Sequence, residues 1–254
     1  MTSTSDPQPL AFREGGSGDR VAIFVHGMYQ SSIFWEPTLH DLPPGVRGFA
    51  VDLPGFGASN GLPGPYTIQG HAEAIDGFVR ARGFSAVVLV GNSMGGIVCQ
   101  QVGINRPAWL GMLVLVSSGP NVPDPAAALA AADAEEEAPW DRAVAEEYVR
   151  HFFARQPADP APYVEAALRA RRAAAFETRR SSALTDLRPG LGRIVVPTLI
   201  IQGELDTGRT PAVGAEMAQL IPNATLHVVA GVGHTPMLED AATFRELLHA
   251  FLTS

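Results

Sequence analysis

The sequence predicts an α/β chain: a mostly parallel central sheet flanked by helices, with an inserted helical cap. Three observations carry this. Short apolar runs rich in β-branched residues recur along the chain, each continuous or nearly so, as strands covered on both faces require. Stretches of helical periodicity separate them, and that alternation calls for right-handed βαβ units around a parallel sheet. Residues 121–190 then drop out of the alternation and turn Ala-, Glu- and Arg-rich with helical spacing.

In chain order, Leu10–Glu14 is read as a preceding antiparallel strand. Val21–Val25, Gly48–Val51, Ala86–Val90, Met112–Val116, Thr198–Gln202 and Thr225–Val229 are the strand candidates. Ile68–Arg82, Ser93–Asn105 and Pro211–Leu220 read as helices between them, and Glu239–Leu252 as one closing helix. The turn-forming Pro120-Asn121-Val122-Pro123-Asp124-Pro125 opens the irregular region, and no β-branched strand appears until Ile194-Val195-Val196. Residues 1–120 and 191–254 are therefore expected to form the core, and 121–190 a cap over the strands' C-terminal edge, where ligands of α/β sheets bind. Trp140, Tyr148, Phe152, Phe153, Tyr163 and Phe176 lie in the cap. Amphipathic helices need such aromatics to pack down, so packing is the expected role for most of them. Arg171-Arg172 and Arg179-Arg180 are expected on solvated faces.

At 254 residues, with 46% hydrophobic and 17% charged side chains, the chain can bury a sizeable core. The net charge of −8 argues against a nucleic-acid surface. All 18 basic residues are arginine. The absence of lysine excludes Schiff-base catalysis, a covalent pyridoxal phosphate site and a Walker A loop, each of which needs one. The single cysteine, Cys99, rules out an intrachain disulfide and a cysteine zinc cluster, and its apolar neighbours predict a buried thiol. Met1–Pro7 carries no basic stretch followed by an apolar one, so no signal peptide is expected; no apolar run spans a membrane, and the cytoplasm is the expected location.

The most telling segment is Leu89-Val90-Gly91-Asn92-Ser93-Met94-Gly95-Gly96. A strand runs straight into G-x-S-x-G and a helix follows, the strand–turn–helix context of a nucleophile elbow. So tight a turn forces Ser93 into a strained backbone conformation, and glycine at 91 and 95 avoids collisions with the neighbouring elements. The serine hydroxyl is thereby lifted clear of the sheet beside a helix N-terminus. A serine is a poor nucleophile until a base takes its proton. His234 is the candidate, on the Gly-rich loop between the last strand and the closing helix. The acid that orients it should follow strand Thr198–Gln202; Asp206 is preferred, with Glu204 its rival, in the chain order Ser, Asp, His. Acyl chemistry also needs N–H donors for an oxyanion. Met94 N–H, after the nucleophile, is one. The other should come from His26-Gly27-Met28-Tyr29, with Met28 N–H favoured and Tyr29 N–H the alternative. His26 and Asp52 are expected to brace loops.

These segments together (His-Gly loop, Asp-x-Pro-Gly-x-Gly-x-Ser, Gly-Asn-Ser-Met-Gly-Gly, Gly-Glu-x-Asp, Gly-x-Gly-His) resemble the α/β-hydrolase superfamily, and most closely its capped esterases, lactonases and C–C bond hydrolases. The resemblance implies the α/β-hydrolase fold, Ser93 as nucleophile, His234 as base, Asp206 as acid, the Met28 and Met94 amides as oxyanion hole, and no metal or organic cofactor. The chain departs from the C–C hydrolases at His-Gly-Met-Tyr-Gln, where theirs is glycine-rich, and at Thr235-Pro236-Met237, where they carry a tryptophan. Ser93 sets it apart from the aspartate-based dehalogenases and epoxide hydrolases, and the missing lysine from plant-type hydroxynitrile lyases. The expected activity is hydrolysis of a small to medium apolar ester, lactone or thioester by a monomer or homodimer. C–C cleavage of a vinylogous diketone, a non-hydrolytic tailoring reaction and a ligand-receptor role are the alternatives.

Overall fold

Among the described residues the chain forms seven strands, six of them from the apolar runs. In the computed structural model, which describes residues 9–122 and 124–253, β1 (Phe12–Gly16) and β2 (Arg20–Val25) come first. After the short helix α1 (Glu36–His40) follow β3 (Val46–Val51), α2 (Ile68–Ala81), β4 (Val87–Asn92), α3 (Met94–Asn105) and β5 (Leu110–Val116). Four helices come next: α4 (Pro125–Glu137), α5 (Arg142–Arg150), α6 (Ala161–Arg169) and α7 (Arg172–Leu184). The chain then returns through β6 (Thr198–Gly203), α8 (Pro211–Leu220), β7 (Ala224–Val229), α9 (Pro236–Glu239) and α10 (Ala241–Leu252). The expectation for Met1–Pro7 lies outside the described residues.

The strands form one sheet in the order β1-β3-β2-β4-β5-β6-β7. β1 runs antiparallel to β3 and every other neighbouring pair is parallel. All six residues of β4 are buried at the centre of the sheet, which explains their unbroken apolar character. Helix α3 lies directly on it with nearly every side chain enclosed, Cys99 included. Burial pushes the Cys99 thiol well up, as befits a small hydrophobe of the core.

Three details differ from the sequence reading. Ala86 stands at φ +52, so β4 starts only after it. Asp240, at φ −139 and ψ 70, interrupts the closing helix; its carboxylate accepts from Thr243 N and starts α10 afresh. Ile194-Val195-Val196 is not strand but the run-in to β6, where the carbonyl of Pro197 accepts the amide of Leu113. Among the described residues no helix is long and apolar enough to cross a membrane.

Candidate active site

The end of β4 delivers Ser93 at φ +54 and ψ −120, the strained turn that its glycine neighbours imply. Its amide donates to Val116 O at 2.9 Å, and its carbonyl accepts from Ser118 Oγ at 2.8 Å and from Gly96 N at 2.9 Å. The glycines are needed for approach. A Cβ on Gly95 would stand 2.4 Å from the carbonyl oxygens of Val25 and His26, and one on Gly91 would stand 2.5 Å from Gly95 O. Backbone atoms at that range have nowhere to go.

Facing this turn are the loops after β6 and β7. His234 Nδ1 lies 2.6 Å from Asp206 Oδ2, and the Asp206 side chain is all but enclosed. Asp206 Oδ1 accepts the amides of Gly208 at 2.9 Å and Arg209 at 2.8 Å. Burial by itself would raise the Asp206 carboxyl, but the His234 hydrogen bond and charge, with those two amides, hold it below the usual aspartate value. The imidazole is therefore oriented with Nδ1–H on the carboxylate and Nε2 available. Glu204 accepts Gly231 N at 2.8 Å and has no hydrogen bond to His234. Asn92 joins the two halves of the site: its Nδ2 donates to Val116 O at 3.2 Å and to His234 O at 3.1 Å. Ser93 Oγ makes no hydrogen bond among the described residues, so the structure brings Ser93 and His234 to adjoining turns without a direct bond.

The loop after β2 folds as a tight turn over Ser93. Gln30 Oε1 accepts Gly27 N at 2.7 Å, Gln30 N donates to Gly27 O at 3.3 Å, and Tyr29 sits at φ +55. A Cβ on Gly27 would lie 3.1 Å from Ser93 Cβ, which measures how closely the loop passes. Among the described residues neither Met28 N–H nor Met94 N–H has a hydrogen-bond acceptor. His26 is buried, with Nδ1 2.8 Å from Gly27 O and Nε2 accepting Leu53 N at 3.0 Å. Burial lowers its pKa below the ordinary histidine value. Asp52 accepts Ser32 N at 2.6 Å and Ala58 N at 2.8 Å, so both residues spend their polar atoms on loops.

The helices between β5 and β6 lie across these loops. Trp140 stacks on Tyr29 with ring centroids 4.4 Å apart, Tyr148 meets Tyr29 edge-on at 5.0 Å, and Phe152 is 6.2 Å from the His234 ring. Phe153 and Tyr163 pack on each other, and Phe176 is buried under Arg172. A cavity of about 330 Å³ opens beside Asp206 and His234, lined by Tyr148, Phe152, Phe153 and Leu205 among others. Two of the arginines expected on solvated faces are engaged instead. Arg179 pairs with Glu135 at 3.0 Å and donates to Tyr148 Oη at 2.9 Å, while Glu135 also accepts from Tyr29 Oη. Arg172 donates to the carbonyls of Glu135 and Ala138 at the end of α4. The reason is the packing of α7 against α4, which turns that face inward.

The profile described as "Alpha/beta hydrolase family" matches residues 22–247. The chain belongs to the alpha/beta hydrolase family. Among its relatives is 2-hydroxy-6-oxononadienedioate/2-hydroxy-6-oxononatrienedioate hydrolase 1 of Dechloromonas aromatica, 25% identical over 96% of this chain and 90% of that protein. Another is the pimeloyl-[acyl-carrier protein] methyl ester esterase of Pectobacterium atrosepticum, 26% identical over 95% of this chain and 98% of that protein. The crystal structure of the enol-lactonase from Burkholderia xenovorans LB400 superposes with a TM-score of 0.88 at 22% identity, covering 96% of both chains, a likeness of fold.

Within this family fold, sequence reasoning overlooked two polar residues of the site. Asn92 stood inside the elbow motif, but only the structure shows its amide spanning two strands to reach the His234 loop. Glu239, near the chain's end, stands four residues after Thr235, one beyond the capping-box spacing, and so carried no motif signal.

Proposed function

We propose that this chain is a serine hydrolase that cleaves a small to medium apolar ester, lactone or thioester through an acyl-enzyme on Ser93. The observation that carries this is one arrangement: Ser93 stands on its strained turn with the Asp206–His234 pair tethered alongside by Asn92, and among the described residues the Met28 and Met94 amides have no acceptor. Asp206 accepts from Nδ1–H, which leaves the lone pair on His234 Nε2 for the serine proton. Catalytic hydrogen bonds often close only with substrate bound, so the Ser93–His234 bond is assigned to the substrate complex.

In the first half-reaction Ser93 Oγ attacks the carbonyl carbon and gives its proton to His234. The carbonyl oxygen becomes an oxyanion, which the Met28 and Met94 amides stabilise by donating to it. The intermediate collapses, the C–O or C–S bond breaks, and His234 returns the proton to the leaving alcohol or thiol. Water then repeats the sequence on the acyl-enzyme: His234 takes its proton, the acid is released, and Ser93 recovers its own. The aromatic rings of Phe152 and Tyr148 near His234 are consistent with an apolar acyl group, and the methyl ester esterase among the relatives agrees with ester chemistry.

The test is intact-protein mass spectrometry after a fluorophosphonate probe, run beside a p-nitrophenyl ester panel from acetate to decanoate. A single adduct on Ser93 with turnover of an ester is the expected result. Labelling without ester turnover would move the reading to C–C cleavage of a vinylogous diketone or to a receptor role. A folded protein that takes no label would refute the assignment of Ser93.

A further inference from the structure

One carboxylate holds the His234 loop and plays no part in the scheme above. Glu239, at the end of α9, accepts three amides on Oε2: Ala154 N at 2.8 Å, Arg155 N at 3.0 Å and Gly233 N at 3.0 Å. Its Oε1 accepts Thr235 N at 3.0 Å and lies 3.1 Å from the Thr235 hydroxyl, whose single proton is shared with Phe152 O at 3.1 Å. The residues on both sides of His234 thus give their amides to one side chain. The same side chain takes two amides from the segment that follows α5, next to the Phe152 ring that faces His234.

Helix capping does not account for this. A capping box places its carboxylate three residues after the N-cap, at Leu238, whereas Glu239 stands four after Thr235, and the amides of Ala154 and Arg155 belong to no cap. The close approach is built in, since a Cβ on Gly233 would stand 2.9 Å from Ala154 N. With His234 O already held by Asn92, the backbone is fixed at three successive residues, 233, 234 and 235. A carboxylate suits four converging N–H donors and a hydroxyl, because each bond is charge-assisted and it presents no hydrogen of its own.

We infer that Glu239 is a positioning residue for the base: it fixes the His234 backbone against the helical insertion, so that the ring keeps Asp206 on Nδ1 while Nε2 reaches Ser93. This rests on the reading of His234 as base. Misplacing a reacting group by an ångström costs up to about 10²-fold in rate, so loss of the clamp should act on turnover rather than on binding.

The experiment compares wild type with Glu239→Gln, Glu239→Asp and Glu204→Ala, on the best ester of the panel and below each variant's melting temperature. It reads kcat, KM and the second-order rate of fluorophosphonate labelling. Gln turns an NH2 toward some of the amides, and Asp keeps the charge but draws it back from them. Both should lose about 10- to 100-fold in kcat and in labelling rate, with KM little changed. Glu204→Ala, on the loop after β6, removes the carboxylate that accepts Gly231 N, three residues before His234, and should turn over like wild type. If Glu239→Gln does not fold, Glu239→Asp decides. Wild-type kcat and labelling in a folded Glu239 variant would leave Glu239 a helix cap and overturn the inference. So would an equal loss in Glu204→Ala, which would mean that any loosening of the loop is harmful. A wild-type protein that does not label on Ser93 fails earlier, at the hydrolase reading itself.

Discussion

Ser93 occupies φ +54 and ψ −120, a backbone region that costs a residue with a side chain about 1–3 kcal/mol. Nothing in the core repays that strain locally: among the described residues the side chain has no hydrogen bond, and the turn is held by backbone atoms and Ser118. The strain is therefore a cost of presenting the hydroxyl, and two substitutions separate strain from chemistry. Ser93→Ala keeps the Cβ and the strained backbone; on the serine-hydrolase reading it should lose several orders of magnitude in turnover and remain folded. Ser93→Gly loses the same chemistry but tolerates the dihedrals. Strain relief less the roughly 0.5–1 kcal/mol entropic cost of glycine should leave it about 1 kcal/mol more stable than the alanine variant. Denaturant titration of the two proteins measures the difference, and an alanine variant at least as stable would mean that the turn stores no strain.

At the scale of the element, what glycine does depends on what surrounds it. A Cβ on Gly95 in α3 would meet the carbonyl oxygens of Val25, in β2, and of His26, just after it, at 2.4 Å, whereas one on Gly77 in α2 would meet nothing within 4 Å. Gly95→Ala should cost at least the roughly 1–3 kcal/mol of an overpacked core, because carbonyls of a central strand cannot move aside. Gly77→Ala should gain about 0.5–1 kcal/mol from helix propensity alone. Thermal melts of the two variants should therefore move in opposite directions, and movement in the same direction would contradict this difference in packing. The contrast also marks what the sequence discloses. The strand–turn–helix around Ser93 was legible because the elbow's geometry is local and its glycines are obligatory. The chain order of Ser93, Asp206 and His234 was legible because each follows a recognisable strand. Arg172 and Arg179 were misjudged because the face that a surface-like helix buries depends on its partner, and α4 gives little periodic signal of its own. The break at Asp240 was hidden by an amphipathic pattern that continues across it, and Glu239 acts through residues more than eighty positions away, which no local pattern encodes.

Across the whole molecule, the helical insertion is bonded to the sheet side along a seam rather than resting on it. Arg171 N donates to Gly55 O at 2.8 Å, Tyr66 N to Glu177 at 2.9 Å and Ile68 N to Ser181 Oγ at 3.0 Å, while buried His71 lies 2.9 Å from Thr178. Burial, with the neighbouring His26, pushes His71 down to about 3, so it is neutral when folded near neutral pH. Its contribution is present in full above the ordinary histidine pKa of about 6.5 and is lost as pH falls toward the folded value, because only the unfolded chain takes up the proton. Stability should therefore decline from about pH 7 to about pH 5, and His71→Leu should reduce that slope without abolishing it, since buried His26 acts in the same sense. Denaturant midpoints across that range test this, and an unchanged slope would refute it. A seam with this many bonds also implies that the insertion and the sheet unfold together. Trp140, stacked on Tyr29 where the insertion meets the loop over Ser93, reports on that contact once Trp35 and Trp109 are replaced by Phe. Its fluorescence should change at the same denaturant concentration as far-UV circular dichroism, the behaviour of one cooperative unit. Substrate would then reach Ser93 by rearrangement of side chains such as Tyr148 and Phe152, with the helices staying in place. A fluorescence transition well before the loss of helix signal would instead mean that the insertion lifts as a body, and that opening it is a step available to every turnover.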